Sequence, residues 1–335
     1  MAEDMKKQVE DALEEVMIPE PRRSIMQLGM VRDIEIKDGQ VKATLSLTPV
    51  NEAARSPVEE QARAAIAKVP GVSDVAIEVV ELPPKEMNGF GSVVAVMSGK
   101  GGVGKSLVAG LLAIGLARQG YAVGILDADI TGPSIPKMFG VRTRPMGSDK
   151  AILPVDTKSG IEIMSINLLL PQEDDAVIWR GPLLAKGIMQ FWDDVLWGKL
   201  DYLVVDVPPG TADVPLTVMQ SLPLTGVVIV STPQDLAGMV VRKAVHMASK
   251  LNVSVLGVVE NMSYLIVPET GNKLELFGRS KGEDMARESG APLLGQLPID
   301  PELAQLCDEG EVERYNSEAF IALSQAFTEA MASRQ

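Results

Sequence analysis

The strongest constraint on the fold is a glycine-rich stretch that directly follows a short apolar segment. Residues 93–97 read Val-Val-Ala-Val-Met, and residues 98–106 read Ser-Gly-Lys-Gly-Gly-Val-Gly-Lys-Ser. The stretch fits the pattern G-x-x-x-x-G-K-[ST], which binds phosphates where a strand passes through a loop into a helix. Its glycines let backbone N–H groups point at phosphate oxygens, and the start of the helix adds a positive dipole end. The sequence therefore predicts a nucleotide-binding loop.

Individual residues of this loop have predicted roles in ATP chemistry. Lys105 is expected to reach the β- and γ-phosphates and to act in catalysis, and Ser106 is expected to bind Mg²⁺. The predicted nucleotide-binding residues of the loop are Gly99, Lys100, Gly101, Gly102, Val103, Gly104, Lys105, Ser106 and Leu107. ATP and Mg²⁺ are therefore the expected ligands.

Acidic residues end two of the apolar segments that follow the loop. Asp127 and Asp129 close the run 125–129, and Asp206 closes the run 201–206. Ligands of parallel sheets bind at the carboxyl ends of the strands, so these acids are expected near the phosphates. Asp206 is expected to hold Mg²⁺ through water, because Mg²⁺ keeps much of its hydration shell.

From Ser92 onward, short apolar runs alternate with helical segments. Strands are predicted at 93–97, 122–126, 203–205, 227–230, 253–259 and 293–297, and a helix at 107–118. Fully apolar strands between helices are typical of a parallel sheet that is covered on both faces. The predicted fold class is a doubly wound, mostly parallel α/β sheet of the P-loop NTPase type, preceded by a small α+β domain.

The N-terminal part has the pattern of that small domain. Residues 6–16 have helical spacing of apolar side chains, and alternating runs at 31–36 and 40–47 flank Lys-Asp-Gly, a strong hairpin signal. A second helix is predicted at 57–68 and a strand at 75–80. The predicted domains are a small α+β domain at 1–82, a linker at 83–91 and an ATPase domain at 92–335.

Charge and cysteine content exclude several classes of function. The 335-residue chain has a formal net charge of −14, and an acidic surface repels nucleic-acid phosphates and anionic membranes. Its one cysteine, Cys307, cannot form an internal disulfide and is typical of a reducing compartment. The N-terminal sequence lacks the apolar core of a signal peptide, and no run is long enough to span a bilayer. We therefore expect a cytoplasmic protein that binds neither nucleic acid nor membrane.

A second lysine in the loop, Lys100, resembles the deviant Walker A motif of the MinD/ParA, nitrogenase iron-protein and arsenite-pump ATPases. The resemblance implies a homodimer in which Lys100 reaches across a twofold axis to the phosphates on the other subunit, as an arginine finger does. It also implies that Asp129 orients or deprotonates the attacking water. Slow ATP hydrolysis is expected of this class.

The chain as a whole resembles the Mrp/ApbC family of iron–sulfur cluster carrier ATPases. The segments that carry the resemblance are residues 99–106, 127–136, 179–182, 201–213, 231–235, 260–264 and 295–301. Residues 1 to about 80 are similar to the PaaD-like domain that many members carry. The resemblance implies that Asn261 hydrogen-bonds the adenine base and that Pro298 and Asp300 line the base pocket. It implies iron–sulfur assembly or client proteins as partners.

Two departures from the family pattern bear on function. In the family, a Cys-x-x-Cys pair follows Asn-Met-Ser-Tyr, and two subunits pool four thiolates around one bridging cluster. Val267 and Thr270 occupy those places here, and Cys307 alone gives a dimer two thiolates at most. We therefore expect no iron–sulfur ligands and interpret Cys307 as structural. Leu107 replaces a threonine that reaches the α-phosphate in relatives, which removes one hydrogen bond of about 0.5–1.5 kcal/mol.

Two functions remain open from the sequence. The first is an ATP-binding and ATP-hydrolysing homodimer that resembles iron–sulfur cluster carrier and assembly ATPases. The alternative is a nucleotide-gated protein-interaction switch of the same family that has lost direct cluster binding. Only the first requires bound iron, so thiol chemistry distinguishes the two. A role in positioning DNA or membranes is disfavoured by the negative charge.

Overall fold

The computed structural model describes residues 2–18, 23–130, 132–148, 150–170, 181–211, 213–234 and 237–334. Its α-helices, in chain order, are α1 (Ala2–Glu14), α2 (Glu52–Ala67), α3 (Pro84–Met87), α4 (Lys105–Arg118), α5 (Ile135–Met138), α6 (Gly181–Asp194), α7 (Asp213–Ser221), α8 (Ala237–Lys250), α9 (Gly282–Ser289), α10 (Pro301–Glu309) and α11 (Glu318–Ala332). Of the segments that carry the family resemblance, residues 131, 179–180, 212 and 235 lie outside this description.

The strands are numbered in the same way. They are β1 (Val31–Lys37), β2 (Gln40–Ser46), β3 (Asp74–Val80), β4 (Gly89–Met97), β5 (Val123–Asp127), β6 (Gly147–Ser148), β7 (Ala151–Ile152), β8 (Val155–Asp156), β9 (Glu162–Ser165), β10 (Lys199–Asp206), β11 (Gly226–Ser231), β12 (Val255–Glu260), β13 (Leu265–Ile266), β14 (Lys273–Leu274) and β15 (Leu293–Gln296). The chain divides into two compact units, and each is built from three separate stretches. The first comprises Met1–Gly89, Pro145–Pro154 and Gln190–Leu200, and the second comprises Phe90–Arg144, Val155–Met189 and Asp201–Gln335.

The first unit contains the predicted hairpin. β1 and β2 are antiparallel, and Asp38 and Gly39 between them adopt positive φ values of 48° and 80°. This is the backbone that an Asp-Gly turn requires. β3 lies parallel to β2 on its other side. α2 begins five residues before the predicted start, because the Asn51 side chain accepts a hydrogen bond from Ala54 N at 2.9 Å and caps the helix.

Residues 83–89 of the segment assigned to a linker from the sequence belong to the first unit, and residues 90–91 belong to the second. Pro84–Met87 form a helical turn, since proline at the start of a helix lacks only an N–H that has no partner there. Met87 is buried in the core of the unit. The side-chain oxygen of Asn88 accepts hydrogen bonds from Trp197 N and Gly198 N. Residues 83–89 of the predicted linker are therefore a structured part of this unit.

Two segments from later in the chain complete the same core. Leu153 and Leu196 are buried in one hydrophobic cluster with Leu13, Leu45 and other residues of the N-terminal stretch. Leu196 N donates a hydrogen bond to Ile152 O at 2.8 Å, which joins the two later segments to each other. The small unit therefore extends beyond the predicted domain at residues 1–82.

The second unit contains the predicted sheet. Its strand order is β15-β12-β11-β4-β10-β5-β9-β8, and the registered pairs from β15 to β11, from β11 to β4, and from β10 through β5 to β9 are parallel. Within the described part of this sheet, the registered pair of β8 and β9 at the edge is antiparallel. The doubly wound, mostly parallel fold class is thereby confirmed. β9 was not predicted, because it is four residues long and begins with a buried glutamate, Glu162.

Two helices with large apolar faces cover this sheet. α4 is buried almost continuously from Val108 to Leu116. α11 buries Phe320, Leu323, Phe327 and Met331, so this C-terminal helix packs its apolar face within the protein. Burial of each such side chain contributes about 1.5–3 kcal/mol. None of the described helices has both the length and the apolar character needed to cross a membrane.

Candidate nucleotide site

The phosphate-binding loop joins the end of β4 to the start of α4. Gly102 and Gly104 have φ values of 77° and 80°, which side chains other than glycine rarely adopt. A Cβ at Gly104 would lie 2.1 Å from Asn261 Nδ2, so there is also no space for one. α4 begins at Lys105 without a side-chain cap. Its first backbone N–H groups are therefore suited to bind a phosphate.

Lys105 lies in a buried group with two carboxylates and a hydroxyl. Its Nζ forms a short hydrogen bond with Asp206 Oδ1 and lies 3.5 Å from Asp129 Oδ2 and 3.3 Å from Ser106 Oγ. The side chains of Lys105 and Asp206 are 5% and 0% exposed. The structure thus places four of the predicted site residues together at the carboxyl edge of the sheet.

Asp127 is a fifth polar residue of this group, and its position was predicted from the sequence but its role was not. It is the register partner of Asp206 on the neighbouring strand, and both side chains are fully buried. Burial raises the pKa of Asp127 well above its ordinary value, and the neighbouring Asp206 raises it further. Burial also raises the pKa of Asp206, while Lys105 acts in the opposite direction. Two adjacent buried carboxyls disfavour a second negative charge, so the pair favours one shared charge.

The carboxylate of Asp206 fits the predicted Mg²⁺ site. Asp206 Oδ2 is buried and has no hydrogen-bond partner among the described residues. A buried acceptor without a partner is costly unless a ligand satisfies it. Mg²⁺ prefers oxygen ligands, and Asp206 and Ser106 both supply them. Within the described ranges, no three His, Cys, Asp or Glu side chains are grouped to hold a metal ion by themselves.

Two buried hydroxyls at the end of β11 also lack hydrogen-bond partners in the described part of the chain. They are Ser231 Oγ and Thr232 Oγ1, and both residues are at most 3% exposed. β11 lies between β4, which leads into the phosphate-binding loop, and β12, which leads into Asn261. Three buried polar atoms without a partner among the described residues, Asp206 Oδ2 and these two hydroxyls, therefore lie at the edge where a nucleotide is expected.

Lys100 forms its hydrogen bond within its own chain. Its Nζ donates to Gln234 Oε1 at 2.5 Å, in the loop that follows β11. Its backbone oxygen accepts a hydrogen bond from Ser98 Oγ at 2.9 Å. The predicted reach to another subunit requires Lys100 to leave Gln234, and this role stays a prediction. Nothing in the sequence pattern assigned a function to Gln234.

The residues predicted to bind the base have partners within the fold. Asn261 is 3% exposed, and its Nδ2 donates to Val103 O at 2.9 Å. Asp300 caps α10 with one carboxylate oxygen and accepts a hydrogen bond from Tyr315 OH at 2.8 Å with the other. Pro298 is half-buried just after β15. The structure therefore joins Asn261 to the phosphate-binding loop, and the contacts with adenine stay predictions.

The positions that depart from the family pattern lie in ordinary structural contexts. Val267 and Thr270 lie in the turn between β13 and β14, where Gly271 N donates to Val267 O at 2.8 Å. Leu107 packs against the core of the second unit. Cys307 is half-buried on α10, and burial together with Asp308 raises the pKa of its thiol to about 11. A protonated thiol is a poor metal ligand.

Comparisons with known proteins identify relatives along nearly the whole chain. Residues 89–333 match the family described as NUBPL iron-transfer P-loop NTPase, and residues 6–79 match the family described as iron–sulfur cluster assembly protein. The iron–sulfur cluster carrier protein of Clostridium perfringens is 48% identical over 248 residues, covering 71% of this chain and 87% of the relative. That of Deinococcus radiodurans is 42% identical over 305 residues, covering 89% and 86%.

Solved structures extend the comparison to three dimensions. A nucleotide-binding protein from Archaeoglobus fulgidus, solved in complex with ADP, matches with a TM-score of 0.62 and 47% identity over 69% of this chain and 91% of its own. McdA from Cyanothece, solved with ATP, shares the fold with a TM-score of 0.52 and 15% identity over 72% of this chain and 96% of its own. These matches confirm the resemblance inferred from the motifs: the chain belongs to the NUBPL iron-transfer family of P-loop NTPases, whose members include iron–sulfur cluster carrier proteins.

Proposed function

We propose that this protein is a Mg²⁺-dependent ATPase that works as a homodimer in iron–sulfur cluster assembly. The observation that carries the proposal is the buried group of Lys105, Asp129 and Asp206 beside the phosphate-binding loop. Phosphoryl transfer needs positioned cations and a residue that orients the nucleophile, and this group supplies both. The assembly context comes from relatives that are named iron–sulfur cluster carrier proteins.

In the proposed reaction, Lys105 exchanges one anion for another. The loop and the start of α4 bind the phosphates of ATP, and Lys105 leaves Asp206 for the β- and γ-phosphate oxygens. Asp206 and Ser106 would hold Mg²⁺, which when bound would neutralise charge on the phosphates. Asp129, whose Oδ2 lies 3.5 Å from Lys105 Nζ, orients or deprotonates the attacking water.

Removal of the Lys105 side chain tests this proposal. Lys105→Ala should abolish ATP binding or lower hydrolysis by at least about 100-fold, because the charge that stabilises the transition state is lost. Lys137→Ala, which changes an exposed lysine of α5, is the matched control. Isothermal titration with ATP and phosphate release should be measured on both variants, purified identically to exclude contaminating ATPases. Unchanged turnover in Lys105→Ala would contradict the mechanism.

The proposed homodimer is tested with a substitution of Lys100. Lys100→Ala should leave ATP binding intact, slow hydrolysis and weaken the ATP-bound dimer, because the lysine is proposed to act on the other subunit's phosphates. Sedimentation velocity with and without nucleotide measures the dimer, and phosphate release measures turnover. A Lys100→Ala variant that dimerises and hydrolyses ATP normally would exclude the role in trans.

A second candidate function is a nucleotide-gated switch that binds proteins and no cluster. The observation that favours it is the replacement of both family cysteines by Val267 and Thr270. Cys307 gives a dimer two thiols, and the raised pKa keeps them protonated at neutral pH. Iron–sulfur clusters are held mainly by cysteine thiolates, commonly four for each cluster. The ATPase cycle would then control the binding of a protein partner.

Anaerobic reconstitution separates the two functions. The full-length protein and Cys307→Ser are incubated with iron and sulfide, and iron, acid-labile sulfide and the visible spectrum are then measured per dimer. A stoichiometric cluster in the wild type supports the carrier function, and its loss in Cys307→Ser identifies a ligand. Absence of a cluster from both proteins supports the switch.

A further inference from the structure

A buried carboxylate at the end of β12 has no role in the proposed ATPase reaction. Glu260 is 0% exposed, and its Oε1 accepts a hydrogen bond from Lys281 N at 2.7 Å. Its Oε2 accepts hydrogen bonds from Ser280 Oγ at 2.6 Å, from Ser263 Oγ and from Gln296 Nε2 at 3.3 Å. Burial of a carboxylate is costly without such donors, so this arrangement requires them.

Three of the four donors lie at the two ends of one stretch of chain. We call residues 263–281 the hairpin segment, because they include β13, β14 and the turn between them. Ser263 opens the segment, and Ser280 and Lys281 close it. Gln296 at the end of β15 also donates to Ser280, which fixes the closing end to the sheet. Glu260 therefore holds the base of the hairpin segment together.

The residue next to Glu260 contacts the phosphate-binding loop. Asn261 Nδ2 donates to Val103 O at 2.9 Å, and Asn261 N donates to Ser231 O at 2.8 Å. The side chain of Asn261 also fills the space beside the Cα of Gly104. Asn261 thus contacts the phosphate-binding loop, and the residue before it, Glu260, contacts the hairpin segment.

The connection between these contacts runs through a disfavoured backbone conformation. Met262 has a φ of 56°, which is an outlier for a bulky side chain. Such residues persist where surrounding contacts fix them, and they cluster at ligand clamps and switch regions. Here the contacts that fix Met262 are those of its neighbours Glu260, Asn261 and Ser263. The backbone N–H of Ser263 donates a hydrogen bond to Leu297 O at 2.9 Å. A shift of Asn261 therefore changes the constraint on the first residues of the hairpin segment.

The hairpin segment also carries an unusual number of exposed apolar side chains. Ile266, Leu274, Leu276 and Phe277 are between 40% and 50% exposed. Exposed apolar residues are ordinary when scattered singly, whereas a group within one short stretch suits contact with another molecule.

We propose that Glu260 is a positioning residue that transmits nucleotide occupancy of the phosphate-binding loop to the hairpin segment. The inference rests on the proposed function, because it requires nucleotide at the loop. Nucleotide that enters beside Gly104 displaces the Asn261 amide from Val103, and the displacement passes through Met262 to the base of the hairpin segment. Glu260 keeps that base closed, so the whole segment responds as one element. Without this carboxylate, the loop and the hairpin segment respond independently.

Hydrogen exchange measured by mass spectrometry on the full-length protein tests this inference. Wild type, Glu260→Gln and the control Glu275→Gln are compared without nucleotide, with Mg²⁺–ADP and with a Mg²⁺-bound non-hydrolysable ATP analogue. Glu260→Gln keeps the size of the side chain but places an amide donor against other donors. Glu275→Gln removes an exposed carboxylate of the same segment.

In wild type and Glu275→Gln, nucleotide should change exchange in the hairpin segment by about fivefold or more, the lower range of measured couplings between sites. In Glu260→Gln, nucleotide should still protect the phosphate-binding loop but leave exchange in the hairpin segment unchanged. A merely structural role would alter exchange of the segment equally with and without nucleotide. A full nucleotide response of the hairpin segment in Glu260→Gln would overturn the inference.

One further outcome and one further variant complete this experiment. Absence of protection at the phosphate-binding loop of the wild type would refute the proposed nucleotide binding itself, which distinguishes that failure from failure of the coupling. If Glu260→Gln does not fold, Ser280→Ala replaces it in the experiment, because that variant removes one donor to the Glu260 carboxylate at the closing end of the hairpin segment. It should reduce the response of the hairpin segment, and an undiminished response would also overturn the inference.

Discussion

Lys105 is paired with a carboxylate in the place where a phosphate is expected. The pair with Asp206 places opposite charges together where both side chains are buried. ATP must therefore compete with Asp206 for the lysine, and Mg²⁺ must compete with the lysine for Asp206. Binding of nucleotide and metal thus replaces the ion pair of Lys105 and Asp206 by one pair of lysine with phosphate and one of carboxylate with Mg²⁺.

Asp206→Asn should separate nucleotide binding from metal binding. Without Mg²⁺, the variant should bind ATP about tenfold more tightly than the wild type, because Lys105 is released and a negative charge beside the phosphates is removed. With Mg²⁺, hydrolysis should fall by at least about 100-fold, because the metal loses its carboxylate. Titration calorimetry with EDTA or Mg²⁺ measures the first effect. Weaker binding of ATP by the variant in EDTA would contradict the proposed competition between ATP and Asp206 for Lys105.

Cys307 gives a prediction that depends on pH. Its thiol has a pKa of about 11 instead of the ordinary 9.0. At pH 8 the folded protein should therefore be alkylated by iodoacetamide about 100-fold more slowly than the chain unfolded in urea, because the thiolate is the reactive form. The raised pKa also means that this group stabilises the fold below about pH 9 and that the contribution is lost between about pH 9 and 11. Equal rates in folded and unfolded protein would refute the raised pKa.

At the scale of elements, the site depends on how closely the loop after β4 approaches the end of β12. Gly104 has no room for a side chain because Asn261 occupies that space. The two elements belong to strands separated by β11. At the end of β11, the hydroxyls of Ser231 and Thr232 have no hydrogen-bond partner among the residues that the structure describes. The three strand ends therefore form one wall of the site.

Gly104→Ala should disturb this wall. The added Cβ meets Asn261 and the residue has a φ of 80°, so the free energy of unfolding should fall by about 1–3 kcal/mol. Gly101→Ala is the matched control for stability, because a Cβ there meets no atom within 4 Å. Urea unfolding followed by circular dichroism measures both variants. A Gly104→Ala variant as stable as the control would show that the loop can withdraw from Asn261.

Local chemistry explains which elements the sequence could predict. The Asp38-Gly39 turn, the strand before the loop and the acids at strand ends are encoded within a few residues, and each was predicted. The start of α2 was not predicted, because it depends on the Asn51 cap and the prediction did not include this cap. β6 and β7 have two residues each and show no periodicity. The carboxylate of Glu260 follows an apolar strand in the sequence, but its donors are up to 36 residues away.

At the scale of the whole molecule, negative charge opposes association of two copies. Each chain has a formal net charge of −14, so the proposed dimer must form against repulsion between its subunits. Local contacts through nucleotide and Lys100 have to exceed that repulsion. Screening by salt shortens the range of the repulsion to about 10 Å at 0.1 M and about 3 Å at 1 M.

The nucleotide-bound dimer should therefore become tighter as salt is added. With saturating Mg²⁺–ATP analogue, the dissociation constant should fall severalfold between about 0.05 and 0.5 M sodium chloride, because repulsion is screened. Sedimentation equilibrium measures the constant at each salt concentration. A dimer that weakens with salt would instead show that opposite charges dominate the interface.

The three-part construction of the small unit has a consequence for synthesis on the ribosome. Its core needs Leu153 and Leu196 as well as the N-terminal residues. The N-terminal stretch therefore cannot reach its final packing as soon as it emerges, although domains generally fold in the order in which they are made. It must wait until about 200 residues have left the exit tunnel, with part of its apolar surface uncovered in the interval. Nascent chains halted before and after that length should differ in their resistance to protease.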